Sequence, residues 1–289
     1  MNDRRLGLAL LAVLVVLDLV LIALALRPAP AATTASQVLT DAVDASPSPT
    51  APAVQPVPAR HVAFRTGGLA YSTTPGSCGG SSAQAVEIPV TGTPTTAAAP
   101  APVVGLVTTN PDGSLSAVAA EQNCTGALQY TQDQDGNWVA GGEPTGSYFG
   151  FPGSTDIATP NGPTGNPCAV IDLASTTDRA TVLCDDGQLR TNTGGTAWDA
   201  GGTVAAGVAL APGPEAILYA LSVAAGCDGL QFSTSADGGG NWTAGGCVQG
   251  ATASGPVGLA VLFDAAIVVD GAGNVYRSPD GGASFSKGG

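Results

Sequence analysis

Residues 278–289 read SPDGGASFSKGG, and residues 233–246 read STSADGGGNWTAGG. Two further stretches, TQDQDGNWVAGG from Thr131 and TNTGGTAWDAGG from Thr191, keep the same order of residue types. Aligned on the aromatic residue, the shared form is Ser or Thr, then Asp or a substitute, a Gly, Trp or Phe, and a closing Gly-Gly. The starts at Thr131, Thr191, Ser235 and Ser278 lie 60, 44 and 43 residues apart. A weaker fifth copy, STTPGSCGG, keeps Ser72 and Gly76 but has no aromatic residue. Each copy follows a short alternating run (GLAYS, ALQYT, GQLRT, GLQFST, GNVYRS), and apolar runs such as VVGLVTT, CAVIDLA, ATVLC, EAILYALSV and AAIVVDG stand between copies. Period-two alternation and short apolar runs between turn residues both mark strands.

A unit of about four strands recurring every 40–50 residues cannot bury its faces alone and stacks around an axis. Residues 61–289 are therefore predicted to form an all-β propeller of about five four-stranded blades. A strand from near His61 is expected to close the last blade. Within each copy, Asp133, Asp237 and Asp280 are placed to accept backbone N–H groups across a turn. Gly195, Gly239 and Gly282 are read as turn glycines, Gly239 and Gly282 supplying a left-handed backbone. Trp138, Trp198, Trp242 and Phe285 are placed to bury a ring between strands or blades.

SPDGGASF and SADGGGNW resemble the Asp-box, or BNR repeat, of sialidases, sortilin-type receptors and photosystem-assembly-factor-type propellers. The resemblance implies that the turn joins the two outer strands of a blade, is structural, and lies away from the ligand face. It also raises a sialidase-like glycoside hydrolase as the alternative activity. That chemistry needs an arginine cluster, a Tyr–Glu nucleophile pair and an acid Asp. The domain has only Arg65, Arg179, Arg190 and Arg277 to supply the cluster, and AFRTGG around Arg65 lacks the Ile-Pro of the family's Phe-Arg-Ile-Pro segment.

The rest of the chain sets the compartment. Residues 1–5 hold Arg4 and Arg5, and Leu6–Leu26 is apolar apart from Asp18 and one glycine. Such a run spans a hydrocarbon core of about 30 Å, and the preceding arginines keep the N-terminus cytoplasmic. It reads as a transmembrane signal anchor; a cleaved signal peptide with a site at Ala23–Ala25 is the alternative. Residues 27–60 are rich in Pro, Ala, Thr and Ser and read as a disordered stalk. The expected location is the cell membrane, single-pass, with the C-terminal domain extracytoplasmic. Six cysteines, all after the apolar segment, suit an oxidising compartment. Fifteen pairings are open to six cysteines. CAVIDLASTTDRATVLC reads as a hairpin pairing Cys168 with Cys184, Cys227 and Cys247 enclose one repeat, and Cys78–Cys124 follows by elimination.

Composition narrows the partners. A net charge of −13 with nine basic residues disfavours nucleic acid, which demands a clustered basic face. With His61 as the single histidine, read as a solvated linker-edge residue, Ser-His-Asp and Cys-His catalysis and histidine metal sites are not supported. The pairs Asp133/Asp135 and Asp185/Asp186 lack the further ligand of a calcium loop and read as solvated turn carboxylates. No cofactor or metal is expected. What remains is a non-enzymatic module binding an unknown protein or envelope glycan. Its binding loops are expected opposite the repeated turns and to include the insert EPTGSYFGFPGSTDIATPNGPTGNP, whose Tyr148, Phe149 and Phe151 stand out in a chain only 5% aromatic.

Overall fold

The computed structural model describes residues 58–133 and 135–288. Its strands fall into six sheets, built in chain order as blades. Blade 1 holds β1 (His61–Phe64), β2 (Ala70–Thr73), β3 (Ala85–Ile88) and β4 (Thr95–Ala97). Blade 2 holds β5 (Val103–Thr109), β6 (Leu115–Ala120), β7 (Leu128–Gln132) and β8 (Trp138–Ala140). Blade 3 has only β9 (Phe149–Gly150), β10 (Asp156–Thr159) and β11 (Gly162–Gly165). Blade 4 holds β12 (Val170–Ser175), β13 (Arg179–Cys184), β14 (Gln188–Thr193) and β15 (Asp199–Thr203). Blade 5 holds β16 (Gly207–Pro212), β17 (Leu218–Ser222), β18 (Gly229–Ser235) and β19 (Thr243–Gln249). Blade 6 holds β20 (Gly258–Leu262), β21 (Ala265–Val269), β22 (Val275–Ser278) and β23 (Ser286–Lys287).

Every pairing within a blade is antiparallel between consecutive strands, so short turns suffice and each blade is a meander. The first strands line the axis: β1 lies beside β5 and β20, β16 beside β12 and β20, and β9 beside β5 and β12. This is an all-β propeller of six blades. The expected count of five is corrected because the insert of residues 143–167 is a blade in its own right. Its strands are too short and Gly/Pro-rich (FG, DIAT, GPTG) to read as strands from pattern alone.

Apolar side chains fill the wedges between blades. Leu221, Leu230 and Phe232 of blade 5 meet Leu259, Val268 and Tyr276 of blade 6. Val269 and Val275 of blade 6 meet Val62, Phe64 and Ile88 of blade 1, so the ring closes by packing. The expected shared strand is not used, since β1 is the inner strand of blade 1. Tyr71 of blade 1 packs with Val104 and Leu115 of blade 2, Ile157 of blade 3 with Val182 of blade 4, and Leu183 and Leu189 of blade 4 with Leu210 and Leu218 of blade 5. Among the described residues no such cluster joins blades 2 and 3.

That seam has a cause. Tyr148, at the start of β9, donates its hydroxyl to Asp178 O in the β12–β13 hairpin, while Pro152 O, just past β9, accepts from Cys78 N in the β2–β3 loop. These partners lie at opposite ends of the ring, so β9 runs against β5 and β12. Residues 141 and 142 still pair with Gln129 of β7, residues 143–147 form no strand, and β9, which by its direction matches the second strand of a full blade, itself stands beside β5 and β12.

Among the described residues no helix is long and apolar enough to cross a membrane. The anchor expected over Leu6–Leu26 and the stalk up to residue 57 lie outside the described residues.

Candidate functional site at the seam between blades 2 and 3

Each blade presents two ends. One carries the hairpins between first and second strands and the turns between third and fourth strands; it is the turn face. There Ser235 and Ser278 are buried, and each Oγ accepts the backbone N–H of Gly239 or Gly282 at 2.8 Å. Asp237 and Asp280 accept the backbone N–H four residues on at 2.9 Å, together with the Asn241 amide and Ser284 hydroxyl. Those bonds hold both carboxyls down to about 2. Asp133 makes the matching bond to Asn137 N.

Two start positions shift. In blades 2 and 4 the buried polar residue is Gln132 or Asn192, while Thr131 is exposed and Thr191 half-buried. Asn192 Oδ1 accepts from Gly195 N. These turns are one residue shorter before the aromatic, and in a period-two strand a slip of one reverses the face. The weak copy at Ser72 and Gly76 is no outer turn: Ser72 lies in β2, and Gly76 follows it on the opposite face of the ring. Without the Asp and the aromatic there is nothing to tie the knot there.

The rings close onto the preceding blade. Trp138 Nε1 donates to Ala98 O, Trp198 Nε1 to Thr164 Oγ1, and Phe285 packs on Phe232. Trp242 joins the cluster of Leu189 and Leu218. The closing Gly-Gly, unexplained by sequence reading, has a steric reason. A Cβ on Gly202 would overlap Gly239 O of the next blade's turn, and one on Gly246 would lie 2.6 Å from Ala283 O.

The other end carries the loops between second and third strands and the links between blades. All three disulfides lie there: Cys78–Cys124 ties the loops of blades 1 and 2, while Cys168–Cys184 and Cys227–Cys247 each stitch one blade's edge. This disulfide face opens into an axial cavity of 260 Å³ at the seam. Its wall includes Pro58, His61, Phe151, Ser154, Ile157, Ala169 and Asp172. Phe151 reaches Gly105 of β5, where any side chain would collide with its ring. The chain enters across this mouth, Ala59 N bonding Ile171 O of blade 4 and Arg60 N bonding Val257 O beside blade 6.

Two titratable groups line the cavity, His61 from blade 1 and Asp172 from blade 4. A bulge in β12 between Val170 and Asp172 turns Asp172 so that its carboxylate accepts Leu173 N and Leu210 N, each at 2.7 Å. Enclosure by protein outweighs those bonds and raises its pKa to about 7. His61 is not the solvated residue expected. Its Nε2 lies 3.2 Å from Val104 O, an acceptor, so the neutral ring carries its proton on Nε2. Burial lowers its pKa to about 4.

Of the three aromatics expected on a recognition loop, Tyr148 (1% exposed) and Phe149 (8%) are packed inside. Tyr148 also reaches Asn192 Oδ1. Phe151 alone lines the cavity. The four arginines lie on blades 1, 4 and 6, and none lines it. Asp172 and His61 carried no sequence signal as site residues, because a β-bulge and the crossing of the axis are invisible in local pattern.

No protein-family model matches the chain, and no curated protein does. Solved structures do. YCF48 bound to D1 peptide is 16% identical with a TM-score of 0.32, over 79% of this chain and 65% of that one. The Aleuria aurantia lectin in complex with Fucalpha1-6GlcNAc is 13% identical with a TM-score of 0.45, over 80% and 94%. A Hadza microbial sialidase is 13% identical with a TM-score of 0.33, over 79% and 52%. The chain thus spans about two thirds of YCF48 and half of the sialidase. These likenesses concern the fold alone.

Proposed function

We propose that this chain is a non-enzymatic binding module, anchored by Leu6–Leu26 in a membrane and held extracytoplasmically on its stalk, with its repeated turns belonging to the Asp-box class. Its ligand, a protein segment or envelope glycan, docks on the disulfide face over the seam. One observation carries this reading: the three-stranded blade 3 borders a cavity on the face where all three disulfides hold the loops. Rigid loops around a concavity lose little entropy on binding. Three disulfides accord with an oxidising compartment.

The test is binding of the full chain to isolated envelope glycan and detergent-solubilised envelope protein. Ala169→Trp fills the mouth from an exposed position and should abolish retention of one fraction while leaving the melting temperature unchanged. Retention equal to wild type overturns the site. Protease accessibility of the domain in intact cells tests the topology; full protection of the domain overturns it. The hydrolase alternative has Asp172 as its one acidic candidate in the cavity, whose lining includes no arginine and no Tyr–Glu pair. Turnover of a fluorogenic sialoside, lost in Asp172→Asn, would replace the binding reading.

A further inference from the structure

The axis opens again at the turn face, and that mouth is chemically different. A cavity of 270 Å³ is walled by the far ends of the inner strands, with Phe64, Val107, Pro212, Leu259, Val261 and Leu262 among its lining. Its hydroxyls are largely committed: Thr109 Oγ1 donates to Phe64 O at 2.7 Å and Ser175 Oγ to Tyr148 O at 3.5 Å. The wall offers dispersion contact and little hydrogen bonding, so it selects an apolar group.

The rim supplies the rest. Phe263, at the tip of the β20–β21 hairpin, is 89% exposed beside the exposed Leu262. Its φ of 52° is the left-handed conformation that bulky residues avoid, so the fold holds an apolar lip outward at the edge of an apolar hole. Around it the inner hairpins of blades 2, 4, 5 and 6 carry one exposed acid each: Asp112, Asp178, Glu215 and Asp264. Three arginines share the face, and Arg277 donates to Pro89 O in the outer β3–β4 turn of blade 1. Arg65 lies 3.6 Å from Glu87, and Arg179 donates to Glu215 O. In a chain of net charge −13 the mouth is negative.

We infer that the turn-face mouth docks a peptide segment bearing one apolar anchor side chain flanked by lysine or arginine. The anchor enters the axial cavity beside Phe263, where removal of its apolar surface from water supplies the affinity. The flanking cations meet the acidic hairpins, which sets the choice of partner and speeds encounter more than it adds affinity. Charge decides against the other apolar occupants. An acyl chain brings its own carboxylate to an acidic rim, and an anionic bilayer is repelled by it. The inference is independent of the seam cavity on the other face.

The test is fluorescence anisotropy of the full chain with a labelled Lys-Lys-Phe-Leu-Lys-Lys peptide at low salt. Saturable binding is expected, weakening with added salt. An acid-flanked Glu-Glu-Phe-Leu-Glu-Glu peptide and an all-lysine peptide should each bind about tenfold more weakly. Phe263→Ala and the pair Asp178→Asn with Asp264→Asn should each cost about five- to tenfold, with unchanged melting temperatures. Ala169→Trp should leave this peptide unaffected while acting on the seam ligand. Failure of the folded wild type to bind, equal binding of the all-lysine peptide, or insensitivity to Phe263→Ala overturns the proposal.

Discussion

The two faces of this propeller are held by different chemistry. The turn face uses one device repeatedly, most fully in blades 5 and 6: a buried hydroxyl or amide, a carboxylate accepting the backbone N–H four residues on, and an aromatic ring laid on the preceding blade. The disulfide face has no repeated motif, and three covalent links hold loops of unequal length. Repetition suits a rim where every blade meets its neighbour in the same way. Where the loops differ and a blade is incomplete, no common motif can serve, and cross-links constrain the loops instead.

The largest expected effect is therefore covalent. Replacing Cys78 and Cys124 by serine removes a link across 46 residues, which chain entropy values at about 4 kcal/mol. Urea unfolding should show that loss. A loss no larger than that from a single turn mutation would dissolve the distinction between the faces.

Next come two glycines with the same sequence signature. Gly246→Ala forces a Cβ to within 2.6 Å of Ala283 O and should cost about 1–3 kcal/mol by overpacking. Gly142→Ala ends an equivalent Gly-Gly beside the incomplete blade, where nothing lies within 4 Å. It should change stability by less than about 0.5 kcal/mol. Equal costs would mean that the neighbouring blade's turn is not what requires the glycine.

The smallest net effect is in pH. Asp237 and Asp280 have folded pKa values depressed from 3.8 to about 2, so their contribution is present above about 4 and is lost as pH falls toward 2. On the other face the window is higher and the signs oppose. Asp172, raised from 3.8 to about 7, binds more protons folded than unfolded, so its term gains stability as pH falls from 7 to 4. His61, lowered from 6.5 to about 4, loses stability over the same fall. The wild type should show little net slope there. Asp172→Asn should expose the histidine as increasing instability between pH 6.5 and 4, read by urea midpoints. A flat profile in that variant would show that the ring is not buried neutral.

What was legible in the sequence follows the same division. The repeated turns announced the propeller because each knot is local: every bond from Asp237 or Asp280 reaches at most four residues. The outer strands followed from equally local patterns and two cysteine pairs from separations of 16 and 20 residues, while Cys78–Cys124, 46 apart, followed only by elimination. Blade 3 escaped because its strands are too short for a period to show, and the register in blades 2 and 4 slipped because turn length varies. The cavity was hidden for a stronger reason: Asp172, His61 and Phe151 come from three blades and meet only once the ring is closed. Tyr148 and Phe149 looked available because aromatic scarcity carries no information about which way a ring points.

The strap of Ala59 and Arg60 across the axis has a mechanical meaning. A pull on Pro58 cannot simply peel β1 from the edge of its sheet. Ala59 is bonded to blade 4 and Arg60 to the link entering blade 6, so tension reaches three blades at once. The point where the chain enters is thus the hub of the wheel, and tension applied there is shared among its spokes.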